Sequence, residues 1–218
     1  MRSYYLDEKS TDLGALQARL EATDLIPSQQ PLLVGIADKM DALKSAGIAS
    51  LADLRQALVK NESLASLSKK SAIDLNYLQL LRRTIDGYFP KSRSLKEIDW
   101  LDQAVVARLK AARIANTRDL FDATSGGAAS LAKDVGVDSE DLKEFVAISD
   151  LCRIQWVSPS FARVLVAAGI SSPSAVAKAD PEALCQAIEK ANQDGTFYKG
   201  KVGLRDVRRL VAAAAYVP

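Results

Sequence analysis

Apolar positions along this chain recur at helical spacing. Over 140–153, Leu142, Phe145, Val146 and Ser149 line one stripe and leave Glu140, Lys143 and Glu144 mostly for solvent. Over 74–87, Leu78, Leu81 and Ile85 form the equivalent stripe. No segment sustains the alternation of β-branched and polar residues that a half-buried strand requires, so the pattern predicts an all-α fold without a sheet. Helices are expected near 11–22, 37–46, 51–59, 62–69, 74–87, 95–99, 102–112, 117–123, 128–134, 139–153, 159–168, 173–178, 181–192 and 203–215.

Start signals agree with this reading. Ser172 precedes Pro173 and Asp180 precedes Pro181, so a side-chain cap stands before a proline at the first helical position, where its missing N–H costs nothing. Asp138, Glu140 and Asp141 put acids at a helix N-terminus. Ser94-Leu95-Lys96-Glu97 has the form of a capping box.

Three segments share one pattern: ALKSAGIASLADL (42–54), RLKAARIANTRDL (108–120) and VLVAAGISSPSAV (164–176). Each reads as the end of a helix, a stop, an apolar residue (Ile48, Ile114, Ile170), an N-cap (Ser50, Asn116, Ser172) and a new helix. Gly47 and Gly169 stand at their stops, where a left-handed residue closes the last turn without steric cost. Arg113 fills that place in the middle copy, so its turn is either strained or capped differently. A weaker fourth copy is read at 19–28, with Leu25 at the Ile position. Tyr88-Phe89-Pro90-Lys91-Ser92-Arg93 is the best boundary candidate, dividing the chain into an N-terminal helical half, 1–90, and a C-terminal helical half, 91–218.

The repeated segment resembles the helix-hairpin-helix family: an apolar residue, a Gly-x-Gly hairpin, a helix, an Ala-Gly-Ile stop and a capped helix. With DLCRIQWVSPSFARVLVAAGISSPSAVAKADPEAL (150–184) and the later FYKGKVGLRDV (197–207), the chain is similar to an uncharacterised bacterial branch of that superfamily, a domain of unknown function. The resemblance covers 12–215 and implies tandem helix-hairpin-helix-like units. In nucleic-acid-binding members, the hairpin glycines let backbone N–H groups approach a phosphate. Here Trp100-Leu101-Asp102 and Trp156-Val157-Ser158 stand in the Gly-x-Gly place, and only Gly35 lies near it in the first copy. The phosphate nest of the family is therefore not expected. The two tryptophans either pack into a neighbouring unit or serve as partner anchors, a role in which Trp is enriched.

Composition narrows the chemistry. Hydrophobic residues make up 48% of the 218, enough for a real core, and no apolar run approaches the length of a bilayer span. MRSYYLDEKSTD carries charges where a signal peptide needs its apolar region, so a cytoplasmic protein is expected. The absence of histidine removes Ser-His-Asp and Cys-His arrangements and every His-containing zinc site. Cys152 and Cys185 lie in helical apolar patterns and read as reduced, small hydrophobes, and two cysteines cannot close a zinc site. No catalytic, metal or cofactor site is expected.

A net charge of +2 neither recommends nor excludes nucleic acid. The main basic feature is Arg205, Arg208 and Arg209 on one helix, preceded by Lys199-Gly200-Lys201-Val202-Gly203. It reads as an anion or nucleic-acid site, or as a solvated face. Arg153 and Arg163 flank the third hairpin, where they either bond helix carbonyls or recognise a partner's anion. The expected function is a non-catalytic protein-interaction adaptor using Gly35, Trp100, Arg153, Trp156 and Arg163, its partner unknown. The alternative is sequence-independent DNA or RNA binding through Lys199, Lys201, Arg205, Arg208 and Arg209.

Overall fold

The computed structural model describes residues 3–218, except the side chain of Ser125. It is all-α: among the described residues there are helices and two isolated bridges, with no strand or sheet. The chain forms two compact units. One comprises 6–89; the other comprises 90–218 together with Ser3–Tyr5. The divide after Phe89 falls at the proline-marked boundary, but the chain passes between the units twice, at 5/6 as well as at 89/90.

The 6–89 unit contains α1 (Leu13–Ala22), a 3-10 helix (Pro27–Leu33), α2 (Ile36–Ser45), α3 (Leu51–Val59), α4 (Asn61–Ser71) and α5 (Leu75–Asp86). Their apolar stripes converge on a core that includes Leu20, Met40, Leu43, Leu54, Leu78 and Leu81. The 3-10 helix was not expected; Pro27 and Pro31 interrupt any 3.6-residue pattern there.

The second unit contains a 3-10 helix (Leu95–Glu97), α6 (Gln103–Ala111), α7 (Thr117–Ala123), α8 (Ala128–Val135), α9 (Ser139–Leu151), α10 (Pro159–Ala167), α11 (Pro173–Ala177), α12 (Pro181–Ala191) and α13 (Leu204–Ala214). A short 3-10 turn (Thr124–Gly126) joins α7 to α8. Helix α9 packs against α7, α8 and α10, while α13 packs against α11 and α12. Leu109, Leu120, Leu142, Leu151, Leu165 and Val207 belong to the shared core.

The three like segments close with one kind of turn. Ile48, Ile114 and Ile170 donate their N–H to Leu43, Leu109 and Leu165 at 3.1, 2.9 and 2.8 Å, each reaching back over a left-handed residue. Gly47 and Gly169 supply that residue at φ +94° and +84°, and Arg113 adopts it at +66°. The middle turn is therefore the same turn, formed by a residue whose Cβ opposes it. Ser50, Asn116 and Ser172 then cap α3, α7 and α11 through their side chains. Leu51 and Thr117 donate to Thr11 and Arg93 carbonyls at 2.8 and 2.9 Å, whereas Pro173 holds that position in the third segment and has no N–H to give.

Two expectations are corrected. The segment at 19–28 has no left-handed stop: α1 ends on Thr23 in extended conformation. Ser94 forms no capping box, since its segment is a single 3-10 turn and Ser94 bridges to Asn116 instead. A capping box does form at Ser50 and Asp53, where the Asp53 carboxylate accepts from Ser50 N–H at 2.9 Å.

Candidate functional site

The loop between α9 and α10 must turn the chain within a few residues while keeping two apolar side chains in the core. Ile154 is fully buried and Val157 nearly so. Between them Trp156 takes φ +70°, a conformation that a bulky side chain rarely adopts, and the residue is left 50% exposed. Gly35 takes the same left-handed conformation at φ +57° before α2, at no such cost. Trp100 does not: Asp102 caps α6 through its side chain, and Trp100 is half-buried against the core with its Nε1 buried and without an acceptor.

Arg209 of α13 reaches across to Trp156, its guanidinium carbon 4.4 Å from the ring centroid. Its Nε is buried without an acceptor, and among the described residues Arg209 meets no carboxylate within ion-pair distance. Beside this pair lies a pocket of about 210 Å³, walled by Trp156, Phe161, Tyr198 and Leu210, with Gln155 and Lys201 supplying polar groups. Gln155 is 7% exposed, and among the described residues its carboxamide makes no hydrogen bond. Asp206 also lines the pocket, but its carboxylate accepts from Gly203 N–H at 3.0 Å and so caps α13.

A shallower groove of about 940 Å³ adjoins the pocket, sharing Tyr198, Lys201 and Val202. One wall is α12 with Cys185 and Lys190; the other is the loop carrying Lys199 and Gly200. Asn192 holds that loop in shape, donating to Tyr198 C=O at 2.7 Å and accepting from Phe197 and Tyr198 N–H. Lys190, Lys199 and Lys201 thus line the groove with one carboxylate, Glu189, among them, and the groove leads to the aromatic pocket. Cys185 is half-buried in the groove rather than enclosed, while Cys152 is enclosed and burial pushes its thiol up to about 12.

The remaining expected site residues are placed elsewhere. Arg208 pairs with Glu182 of α12 at 2.6 Å and Arg205 is exposed outside the pocket lining, so of the three arginines Arg209 alone lines the pocket. Arg163 stacks between Trp100 and Phe197, 5.2 and 4.6 Å from their centroids, with Glu144 at 3.8 Å. Arg153 is not on a partner-facing surface. Its side chain is 1% exposed, donates to Asp150 and to the carbonyls of Ser3, Tyr4 and Pro218, and lies 4.2 Å over Phe121. This arginine is an internal clasp. Gln155 carries no signal in the sequence, because a lone glutamine belongs to no motif.

Residues 101–217, which include the whole pocket, match the family described as a domain of unknown function, DUF4332. The chain belongs to this DUF4332 family. No curated protein and no solved structure matches it. The match spans α6 to α13 and takes in both walls of the groove, so the candidate site lies within the family's own domain. Among the described residues no cluster of His, Cys, Asp or Glu is placed to hold a metal, and no helix is long and apolar enough to cross a membrane.

Proposed function

We propose that this protein is a non-catalytic binding module, an adaptor that engages a protein partner through Trp156 and the pocket beside it. The observation that carries the reading is the conformation of Trp156: left-handed, half-exposed and stacked by Arg209. Holding a tryptophan in this backbone state costs roughly 1–2 kcal/mol relative to glycine. The cost is reasonable where the side chain serves as an exposed anchor. The partner face is basic and aromatic, which suits an acidic segment.

The like turns at Gly47, Arg113 and Gly169, with left-handed residues before α2 and α10, support the view that the units derive from helix-hairpin-helix elements. Sequence-independent nucleic-acid binding is a second reading, favoured by Lys199 and Lys201 in the groove and Arg209 in the pocket. Engagement of Arg208 by Glu182 counts against it. Fluorescence-anisotropy titration with acidic peptides and with single- and double-stranded DNA and RNA separates the two. The adaptor reading expects peptide binding that W156A abolishes. Salt-steep oligonucleotide binding without peptide binding would replace it with the second reading.

A further inference from the structure

Two side chains that line the pocket have a hydrogen-bonding group without a protein partner. Gln155 is more than nine-tenths buried with an unpartnered carboxamide, and the buried Nε of Arg209 has no acceptor. A polar group that lines a mixed polar and apolar pocket is normally satisfied by protein, water or ligand. Arg209 lies over the face of Trp156, and Gln155 lines the same pocket with the apolar Phe161 and Leu210. Lys201 stands where the pocket opens into the lysine-lined groove.

We infer that the pocket receives an apolar side chain flanked by a carboxylate, and that the groove carries the rest of an extended acidic peptide. The apolar side chain packs on Trp156 and the floor. The neighbouring carboxylate accepts from Arg209 and from the Gln155 amide, with Lys201 adding charge at the mouth. Two cations face one carboxylate here, and that carboxylate, Asp206, is already occupied by Gly203 N–H, so the net field favours an anion. The pocket is smaller than the ~300–1,000 Å³ usual for small-molecule sites, and it continues into an open groove, as an anchor residue of a longer ligand requires. This assignment rests on the adaptor reading and adds the chemistry that the partner must show.

The test uses the full chain and a short fluorescein-labelled peptide alternating Glu with Phe, titrated by anisotropy. Companion peptides replace Glu by Gln or Phe by Ser, and an oligothymidylate is matched for charge. Wild type is expected to bind the Glu-Phe peptide and to lose it with either companion. Q155L and R209M are each expected to weaken binding about tenfold or more, the usual loss when a charge-assisted hydrogen bond is removed. R208M, whose arginine is held by Glu182 outside the pocket, is expected to bind as wild type does. Melting curves confirm folding, and K201M provides a second pocket-mouth variant that disturbs no helix. A purely structural Gln155 would leave binding unchanged in Q155L. Peptide binding that survives Q155L and R209M overturns the pocket assignment and leaves the adaptor reading standing. Absence of peptide binding to wild type overturns both, and oligothymidylate binding abolished by R209M would then assign the pocket to nucleic acid.

Discussion

At Arg113 and Trp156, side chains with a Cβ occupy backbone positions that glycine fills elsewhere in the chain, yet the two cases point in different directions. Arg113 is exposed and its conformation is dictated by a helix stop that Gly47 and Gly169 close without strain. R113G is therefore expected to stabilise the protein by about 1 kcal/mol, read as a higher melting temperature; a lower one would show that the arginine contributes contacts outweighing its strain. Arg153 has the opposite character. Its removal takes the buried ion pair from Asp150 and a donor from several backbone carbonyls, so R153M is expected to cost about 3–5 kcal/mol in urea unfolding. Nearby, Tyr4 is buried with its hydroxyl 3.1 Å from Thr117 Oγ1, and burial pushes the phenol from 10.0 up to about 12. The folded state favours the neutral phenol. That stability is fully present below pH 10.0 and is lost as the pH rises through about 12. Y4F should flatten the decline in that window, together with Y77F for the second buried phenol, which burial also raises to about 12.

At the scale of elements, most helices follow from apolar stripes and caps. The observed α2, α3, α9 and α12 lie within a residue or two of the spans expected from periodicity. Ser50 illustrates why caps are legible: its hydroxyl accepts from the third helical amide, and Asp53 answers it, an arrangement written in local sequence. S50A should cost about 1 kcal/mol of stability by chemical denaturation, and an unchanged midpoint would mean the turn is held by Leu51 and Thr11 alone. The 3-10 helix at Pro27–Leu33 was invisible because its residues show no period, and the turn at Gly136, which also reaches back from Val137 to Ala132, lacks the Ile of the other three. The site was half legible. Trp156, Lys201 and Arg209 could be picked out by residue type, but their meeting depends on packing of α13 near the α9–α10 loop. Arg153 and Gln155 are close in sequence yet differ in surroundings: one is enclosed by carbonyls, the other lines the pocket.

The whole molecule contains two hydrophobic cores, one within 6–89 and one within the remainder. L78A removes a fully buried side chain from the first and is expected to cost about 2–5 kcal/mol there. Hydrogen exchange should quicken across 6–89. The proposed binding site lies wholly in the second unit, which holds Trp156, the pocket and the groove. The chain has two tryptophans, and W100F, which keeps an aromatic ring against the core and Arg163 and loses no hydrogen bond from Nε1, leaves Trp156 as the sole indole reporter. Titrating W100F with the unlabelled Glu-Phe peptide while following tryptophan emission is the most direct test of the central claim. A saturable change in Trp156 emission that R209M abolishes is the predicted result. Saturable peptide binding by calorimetry with Trp156 emission unmoved would contradict it.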